Sequence, residues 1–485
     1  MELRTNTQYQ NTLGLNLLSP DQLEELHLAS LEVLDTVGVR VHEEEALGML
    51  RREGARVNGD HVYIPAWMVQ QALSLAPCRI PIGNRKGERS MFLEKGRVYF
   101  GTGSDTQFTF DIYDGLHRQT VKQDVANAAK IADGLEEIDF VMSLGIASDV
   151  PIKTSFLHQF EAMVLNTIKP IVYTADNRQD VANIIEMAEI VAGSPEALAA
   201  NPFLILYAEP SSPLQHSQMA VEKLLLCAER RLPVVYIPTV MLGATGPVTS
   251  AGALIVAIAE VLSGLVIHQL KAKGAPFIFG GSAPPMDMKT SICSYGAPEA
   301  ILNDAAMITM SRFYDLPVFC TAGCSDAQVF DQQAGLEAGF SMLLLGLAGG
   351  NLIHDLGYIG AGMTSSMRML VLCNETAGMV RQVLKGIEIS PITLALELIK
   401  KVGPGGHFLT EGHTLEHFRE HLYFPELLNR FGYEGWKEAG SVTFGQRANE
   451  KAREVLENHL VEELPTDIAD GVREITARRD SALKG

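Results

Sequence analysis

The sequence predicts a (β/α)₈ barrel with helical segments at both ends of the chain. Eight short apolar or β-branched runs follow one another between residues 97 and 355, and a helical pattern comes after each of them. Most of these runs are apolar throughout, as parallel strands are when both of their faces are buried. Eight strand–helix units most simply close into a ring. An open sheet covered by helices on both faces is the alternative.

The runs and the helical patterns can be placed along the chain. The predicted strands are 98–103, 140–146, 170–174, 203–209, 233–239, 276–281, 317–321 and 352–355. The predicted helices are 122–136, 156–167, 179–191, 215–230, 248–273, 297–314, 333–347 and 365–384. Residues 96–385 are therefore assigned to the barrel.

The segments outside the barrel, residues 1–95 and 386–485, are predicted to be helical. Ser19 and Pro20 are a good N-cap and first-turn pair for a helix. Apolar residues then recur at helical spacing as far as a break near Gly38. Further helical patterns cover 42–53, 66–76, 393–402, 414–421 and 436–457.

Composition and charge indicate a large, ordered and acidic protein. Of its 485 residues, 47% are hydrophobic and 20% are charged, which is enough for a large buried core. The formal net charge of −19 repels nucleic acid and anionic membranes unless a local basic patch overrides it. No run of Lys or Arg exceeds two residues, so we expect neither kind of partner.

Cysteine usage and the N-terminal sequence favour a cytoplasmic location. The six cysteines are widely scattered, which is not typical of a disulfide framework. The first ten residues lack the apolar core of a signal peptide. The most apolar stretch, 251–265, is interrupted by Glu260 and is too short to span a membrane.

Polar and reactive side chains come at the ends of most predicted strands. Asp105 follows the first strand, Glu209 ends the fourth, and His354 with Asp355 ends the eighth. In a barrel these ends converge on one rim, where active sites form. Burying a His–Asp pair is costly unless it is satisfied or binds a ligand. We therefore predict catalytic roles for His354 and Asp355, in carboxylate recognition or proton handling; a structural hydrogen-bonded pair is the alternative.

Aromatic residues are concentrated on the predicted strands, although they make up only 7% of the chain. Aromatic faces attract quaternary ammonium groups by about 0.5–2 kcal/mol per contact. For any single ring, filling of the core is the alternative. We predict a substrate pocket that combines rings with strand-end carboxylates: Tyr99, Phe100, Asp105, Tyr207, Glu209 and Tyr358.

A glycine-rich turn, Gly280-Gly281-Ser282, follows the sixth strand and is a candidate for cofactor binding. Glycines let a backbone approach a ligand closely. The sequence contains neither a GxGxxG motif with an acidic residue about 20 positions on nor a GxxxxGK[ST] motif. A nucleotide site is therefore disfavoured.

A zinc site is an alternative interpretation of the same rim. Cys320 and Cys324 end the seventh strand, one unit before His354 and Asp355, and thiolates and imidazoles are zinc ligands. The other interpretation makes Cys320 an inward-facing residue that fills the barrel and Cys324 a loop thiol. Three more histidines recur every fourth residue on a predicted surface helix and are interpreted as partners of its glutamates: His413, His417, His421, Glu416 and Glu420.

Two glycine- and proline-rich stretches resemble one known family. They are GATGPVTSAG over residues 243–252 and GGSAPPMDM over residues 280–288. Both are similar to the trimethylamine methyltransferase family of corrinoid-dependent enzymes, and the likeness extends over roughly residues 20–480. Supporting positions are Glu260, Gly264, 295–299 (YGAPE), Gly335 and 349–351 (GGN). The resemblance implies a (β/α)₈ barrel that moves a methyl group from an amine to the cobalt of a cognate corrinoid protein.

The resemblance also implies a substrate. The family's founding members carry pyrrolysine near the end of the seventh strand, whereas residues 321–333 are ordinary here. Members without pyrrolysine resemble quaternary-amine demethylases, which implies glycine betaine as substrate and dimethylglycine as product. Proline betaine, carnitine and γ-butyrobetaine are alternatives. The corrinoid, a cobalamin-type cofactor, belongs to the partner protein, so no tightly bound cofactor is implied.

A quaternary ammonium suits such a reaction because its leaving group is a neutral tertiary amine, which needs no proton. The enzyme mainly has to hold one N–CH₃ bond in line with the cobalt. An aromatic cage would bind the cation, and a protonated His354 oriented by Asp355 would pair with the substrate carboxylate. A zinc-dependent barrel methyltransferase and a non-catalytic betaine-binding protein are alternatives of other classes. The terminal helices are candidates for the contacts of a homo-oligomer.

Overall fold

A ring of parallel strands forms the centre of the molecule. The computed structural model describes residues 14–483. Seven strands pair side by side in the order first, eighth, seventh, sixth, fifth, fourth and third, counted along the barrel. In chain order these seven are Tyr99–Thr102, Ile171–Tyr173, Leu204–Ala208, Val234–Tyr236, Phe277–Gly280, Val318–Thr321 and Leu352–Leu356.

The second barrel strand closes the ring. Phe140 forms a parallel bridge to Gly101 in the first strand, and Val141 forms another to Ile171 in the third. This strand is shorter than predicted, because Leu144 takes a left-handed backbone with a φ of 48°, which ends the extended run. The predicted (β/α)₈ barrel is confirmed, and the ring excludes the open sheet.

Each barrel strand is followed by a helix on the outside of the ring. These helices are Lys122–Gly134, Ser155–Asn166, Arg178–Ala192, Gln218–Arg230, Ser250–Lys271, Pro298–Phe313, Gln332–Ala348 and Met367–Leu384, with a short helix Pro195–Ala200 after the third. Several begin where a side chain accepts hydrogen bonds from N–H groups of the first turn: Asn177, Ser217, Asp331 and Ser366. The eight predicted helices are confirmed, with their ends displaced by at most three residues.

The helix Ser250–Lys271 is apolar and, at 22 residues, long enough to cross a membrane by length and composition alone. However, 72% of its most apolar window is buried inside the protein, and it packs against the N-terminal helices and the sixth barrel strand. The Glu260 carboxylate within it accepts hydrogen bonds from Ser212 Oγ at 2.7 Å and from the Leu214 N–H at 2.6 Å. We therefore interpret it as a core helix, longer than the apolar stretch in the sequence suggested.

The N-terminal segment is less helical than predicted. Its helices are Pro20–Glu32, continued by a π-helical turn Val33–Val37, then Glu44–Arg52 and Ala66–Leu75. It also contains five strands that the sequence analysis missed: Val39–Val41, Arg56–Asn58, His61–Tyr63, Ile80–Gly83 and Arg89–Leu93. Three of the five have only three residues, too few to give a recognisable alternation. Residues 1–13 of this segment lie outside the described residues.

Most of the barrel interior is apolar. Inward-facing side chains, at every second residue of the strands, form one cluster that includes Phe140, Val172, Ile205, Val235, Ile278, Phe319 and Leu352. The hairpin of Ile80–Gly83 and Arg89–Leu93 adds Ile80, Ile82, Met91 and Leu93 to the same cluster. Asn351 Nδ2, just before the eighth strand, donates to the carbonyls of Glu94 and Arg97 after the hairpin, at 2.8 Å each. This amino-end hairpin therefore closes the amino end of the barrel.

Several loops that follow barrel strands also contain short strands. A four-stranded sheet of Phe108–Phe110, His117–Gln119, Tyr358–Ile359 and Thr364–Ser365 joins the loops that follow the first and eighth barrel strands. A further strand, Gln215–His216, pairs with Val39–Val41 and so ties the N-terminal segment to the barrel.

The C-terminal segment consists of an excursion and two packed helices. The helices Phe444–Asn458 and Thr466–Ala482 pack on barrel helices. Before them, residues 386–443 carry the short helices Pro391–Leu394, Leu396–Val402, Gly412–His421 and Tyr433–Glu438. The single helix predicted over 436–457 is broken at Gly440, whose φ is 93°. No side chain of residues 386–443 is buried, and we call this stretch the arm.

Candidate active site at the carboxyl end of the barrel

A cavity of about 440 Å³ opens at the carboxyl end of the barrel. Its wall includes the last inward-facing residues of six strands: Thr174, Glu209, Thr239, Ser282, Thr321 and His354. Each continues the two-residue alternation of the apolar cluster, as Thr321 does after Phe319 and His354 after Leu352. The polar strand ends thus meet at one site.

Asp355 lines the same cavity although it is the neighbour of His354 in sequence. Successive residues of a regular strand point to opposite faces. Here the pairing of the eighth strand with the first shifts its register between Ile353 and Leu356, and Asp355 has a φ of 78°. This β-bulge brings both side chains to the cavity. The backbone at Asp105 is also in the left-handed region, with a φ of 48°. Aspartate is one of the few residues besides glycine that tolerate this conformation.

His354 and Asp355 form a buried hydrogen-bonded pair. His354 Nδ1 lies 2.9 Å from the carbonyl of Cys320, so it must donate there, and His354 Nε2 lies 3.1 Å from Asp355 Oδ1. Burial lowers the pKa of His354 to about 4 and raises the pKa of Asp355 well above its usual value. In the empty cavity we therefore assign a neutral imidazole that accepts a hydrogen bond at Nε2 from the protonated carboxyl of Asp355, and ionisation of Asp355 beside a bound cation would pass that proton to Nε2. This assignment differs from the protonated His354 expected from the sequence.

Acidic groups outnumber basic ones in the cavity. Asp105, Glu209 and Asp355 line it together with a single ammonium group, that of Lys223. Burial is the main cause that raises the pKa of all three carboxyls, and for Asp355 the charges of Asp304 and Glu209 raise it further. Burial lowers the pKa of Lys223. A bound cation would favour the ionised carboxylates, so the cavity is suited to a positively charged ligand.

Neighbouring hydroxyls hold the carboxyl groups in place. Asp105 Oδ1 accepts hydrogen bonds from Ser143 Oγ and Thr174 Oγ1, both at 3.2 Å. Glu209 accepts one from the hydroxyl of Tyr207. The carboxylates therefore have defined positions before any ligand binds.

A further carboxyl lies below the cavity wall. Asp304 accepts from Ser282 Oγ at 2.8 Å and from the Thr321 N–H at 3.3 Å, and burial raises its pKa to about 7. Asp304 thus fixes two of the strand ends that line the cavity.

Four aromatic side chains line the cavity: Phe156, Tyr207, Tyr295 and Tyr358. The hydroxyl of Tyr358 hydrogen-bonds to both the N–H and the carbonyl of Ser104. Its ring packs on Gly103, where an added Cβ would lie 2.2 Å from a ring carbon, so this position requires glycine. The ring centroids of Tyr207 and His354 are 6.2 Å apart. These aromatic walls and the carboxylates face the same space.

The predicted pocket was wrong for two of its aromatic residues. Tyr99 lies at the amino end of the barrel, where its hydroxyl accepts a hydrogen bond from the Phe92 N–H at 2.9 Å. Phe100 faces outward into the layer between strands and helices, and Arg381 lies 5.4 Å from its ring centroid. The prediction failed because both residues begin the first strand, whereas the cavity lies beyond its end. The other predicted pocket residues all line the cavity: Asp105, Tyr207, Glu209, His354, Asp355 and Tyr358.

Of the predicted cofactor turn, only Ser282 reaches the cavity. Gly280 packs against Ile237 and the carbonyl of Phe319. A Cβ at Gly281 would lie 2.3 Å from Met307 Cε. These glycines therefore permit close packing of the sixth strand, and neither lines the cavity.

Lys223, Tyr295, Phe156 and Thr174 line the cavity but were not among the predicted site residues. Thr174 could have been found by counting every second residue from Val172. Lys223 lies in the helix Gln218–Arg230 and reaches the third strand end, where its Nζ donates to the carbonyl of Ala175 at 2.6 Å. A helical residue at the rim gives no such periodic signal.

The side chains of the alternative zinc site do not come together. Cys320 Sγ faces outward, toward the carbonyl of Leu352 at 3.8 Å, while His354 faces inward. The alternative interpretation of Cys320 as an inward barrel-filling residue is therefore also wrong. Within residues 14–483, the ligand atoms of one group of three lie within 4.8 Å of one another, and that group lies on the arm: His417, Glu420 and His421. The ring centroids of His413 and His417 are also only 4.6 Å apart.

Comparisons with known proteins connect this site to a family. The family model described as trimethylamine methyltransferase (MTTB) matches residues 3–484. Trimethylamine methyltransferase MttB of Desulfitobacterium hafniense (strain DSM 10664 / DCB-2) is 33% identical, over 95% of this chain and 93% of the relative. MttB of Methanosarcina barkeri is 34% identical, over 98% and 97%. Glycine betaine methyltransferase of D. hafniense (strain Y51) is 29% identical, over 96% and 97%.

A solved structure agrees at the level of the fold. The monomethylamine methyltransferase (MtmB) of M. barkeri superposes with a TM-score of 0.54 over 94% of this chain and 91% of that one, at 12% identity. Together with the match over nearly the whole sequence, this confirms the resemblance of the two glycine- and proline-rich stretches. The chain belongs to the trimethylamine methyltransferase family.

Proposed function

We propose that this protein transfers a methyl group from a quaternary amine to the reduced cobalt of a corrinoid carried by a partner protein, with glycine betaine as the first candidate substrate. Dimethylglycine would be the second product. The observation that supports this proposal most is the cavity itself, which combines four aromatic rings with three carboxyl groups at the open end of the barrel.

The cavity offers a quaternary ammonium group two kinds of attraction. Aromatic faces contribute about 0.5–2 kcal/mol each, more when water is excluded. The ionised forms of Asp105, Glu209 and Asp355 would balance the positive charge, which has no N–H group to donate. Lys223, the one ammonium group among the lining residues, is a candidate partner for the carboxylate of a betaine.

The proposed reaction needs no acid or base from the enzyme. The N–CH₃ bond breaks, its electron pair stays on nitrogen as the lone pair of a neutral tertiary amine, and the methyl group is taken by the two-electron cobalt nucleophile. The protein has to orient the methyl group toward the cavity mouth and exclude water. The His354–Asp355 pair is uncharged in total and fixed by hydrogen bonds, so it fits a positioning role better than proton exchange with the substrate.

The number of carboxylates sets a limit on catalysis. The substrate loses its positive charge as the bond breaks, so a site that held the cation too strongly would stabilise the ground state and slow transfer. Burial raises the pKa of Asp105, Glu209 and Asp355, so each carboxyl loses its proton less readily than an exposed one would. Such a site can bind a cation without the full attraction of three fixed negative charges.

The choice of a quaternary amine over trimethylamine depends on one feature of the sequence. Members of the family that carry pyrrolysine have it near the end of the seventh strand, and this chain has ordinary residues from Thr321 to Gln333. A relative named glycine betaine methyltransferase spans the same length of chain. Proline betaine, carnitine and γ-butyrobetaine would undergo the same reaction and are the alternative substrates.

The experiment is a turnover assay with free cob(I)alamin as acceptor. Each betaine and trimethylamine is incubated with enzyme under anaerobic conditions, and methylcobalamin is followed by its absorption spectrum. We expect methylcobalamin and one equivalent of tertiary amine from a betaine, and none from trimethylamine. Turnover of trimethylamine alone, or of no methylated amine even when a corrinoid protein is supplied, would contradict the proposal. Tight betaine binding without turnover would instead indicate a binding protein.

A further inference from the structure

We propose that the arm, residues 386–443, pairs two copies of this chain into a homodimer by packing against the outer face of the helix Gln332–Ala348 in the other copy. The inference comes from surface chemistry far from the cavity wall and does not depend on the proposed function. It assigns a partner to the part of the described chain with the least internal packing.

The arm exposes in total more apolar surface than the largest single apolar patch of a typical monomer. Thirteen large hydrophobic residues in it are exposed: Ile387, Ile389, Ile392, Leu394, Leu396, Ile399, Phe408, Leu409, Leu415, Leu422, Phe424, Phe431 and Tyr433. With whole-residue areas of ~200 Å² and the exposures found, they present on the order of 1,500 Å². The largest apolar patch of a typical monomer is about 300–600 Å². One side of a standard dimer interface buries about 800 Å².

The arm has no core of its own to explain its conformation. Its four short helices contain no buried residue. Contacts with the barrel occur near its returning end, where Tyr423 Oη donates to Glu375 Oε1 at 3.2 Å and the Leu427 N–H donates to Glu375 Oε2 at 3.1 Å. A segment of this length needs apolar burial to offset the entropy of ordering it. A second chain supplies that burial.

The same chain also has an apolar groove that its own arm does not fill. A groove of about 360 Å³ runs between the helices Gln332–Ala348 and Met367–Leu384, and its lining is mostly apolar, including Leu343, Met379 and Val383. Beside it, Leu336 and Phe340 are exposed on the helix that also carries Leu343. Leu428 in the arm and Phe444, the first residue of the next helix, continue the same lining. A chain with both a protruding apolar arm and an apolar groove is self-complementary, which is what a two-fold interface requires.

A second copy fits this surface better than the corrinoid protein does. The arm begins after Leu384, near the amino end of the barrel, because the helix before it runs antiparallel to the barrel strands. It returns beside the first half of the helix Gln332–Ala348, toward the carboxyl rim, so the size and polarity of the surface decide between the two partners. A corrinoid partner has to approach the mouth and leave again, and transient interfaces are smaller and more polar than permanent ones. The size and apolar character of the arm are typical of a permanent contact.

The test is the mass of the full chain in solution, measured by light scattering after gel filtration and by sedimentation. We expect about twice the chain mass of 52.8 kDa for the wild type. The variants Leu409→Asp and Leu415→Asp, at side chains 81% and 76% exposed, should be monomeric with an unchanged far-UV spectrum. The matched control Ile152→Asp, at a residue 88% exposed outside the arm, should stay dimeric.

A mixing experiment tests the exchange of arms. Leu409→Asp disables the arm and Phe340→Asp the receiving helix, so each variant alone should be monomeric. A mixture of the two retains one intact arm–groove contact per pair and should form heterodimers. A wild type that is monomeric at about 50 µM, a trimer, or arm variants that stay dimeric would each overturn the proposal. A monomer whose arm variants lose only methyl transfer to a corrinoid protein would assign the arm to that partner instead.

Discussion

The two ends of the barrel interior are built from the same strands but have opposite chemistry. At the amino end, Val172, Ile205 and Phe319 pack with the hairpin residues Ile82 and Leu93 into a sealed apolar cluster. At the carboxyl end, the next inward positions carry hydroxyls, carboxyls and an imidazole around an open cavity. Two to four residues along a strand thus separate a position in the apolar cluster from one that lines the cavity. The depth of a residue in the barrel therefore predicts the effect of its substitution.

The largest expected effect lies at the amino end. Leu93→Ala removes a fully buried side chain from the hairpin cluster, and we expect it to lower the free energy of unfolding by about 3 kcal/mol because a cavity remains. The turnover of folded enzyme should not change. Urea denaturation and the assay with cob(I)alamin measure the two quantities, and Leu460→Ala, at an 88% exposed residue, is the control. A tenfold loss of turnover at unchanged stability would refute the division between the two ends.

The second effect lies at the carboxyl end. Asp355→Asn keeps the shape of the side chain but removes the charge that balances the substrate cation, and we expect kcat/KM to fall about 100-fold. The free energy of unfolding should change by less than about 1 kcal/mol, because Asp355 is buried and close to other carboxyls. Asp470→Asn, on the surface of the last helix, is the matched control. If the variant instead unfolded easily and kept its kcat/KM, Asp355 would belong with the structural residues.

The third prediction concerns pH. Asp105, Glu209 and Asp355 have raised pKa values, and only their ionised forms attract a cation. We therefore expect kcat/KM for a betaine to be constant at alkaline pH and to fall by about tenfold per unit as pH decreases below the highest of these values. The fall should be mainly in KM. Glu209→Gln should weaken the dependence, and a kcat/KM that rises as pH decreases would contradict this account of the cavity.

The smallest effect is expected for Tyr207→Phe. The variant keeps the aromatic ring beside His354 but loses the hydrogen bond to Glu209, worth about 1 kcal/mol. We expect KM to rise about three- to fivefold with little change in kcat. Tyr207→Ala, which also removes the ring, should cost considerably more. Equal effects of both substitutions would show that the hydroxyl, and not the aromatic face, matters for binding.

The sequence predicted the repeated strand–helix units of the barrel well. Apolar runs and caps located the barrel and its helices, and strand ends identified Asp105, Glu209 and His354 as cavity residues. The N-terminal strands were missed because pairs as short as Arg56–Asn58 with His61–Tyr63 depend on contacts with distant parts of the chain. Tyr99 and Phe100 were misplaced because strand membership does not reveal depth along the barrel. Asp355 lines the cavity, as its predicted site role requires, but strand alternation alone would point its side chain away, and only the bulge turns it inward.

The left-handed backbone at Asp355 has a consequence for attempts to make this protein more heat-resistant. Glycine adopts a φ near 78° without the steric cost that a Cβ adds. A library screened only for thermal tolerance would therefore enrich Asp355→Gly and so remove a carboxyl group from the candidate active site. If Asp355 acts as proposed, heat tolerance and turnover oppose each other at this position, so engineering should hold it constant and look for gains elsewhere.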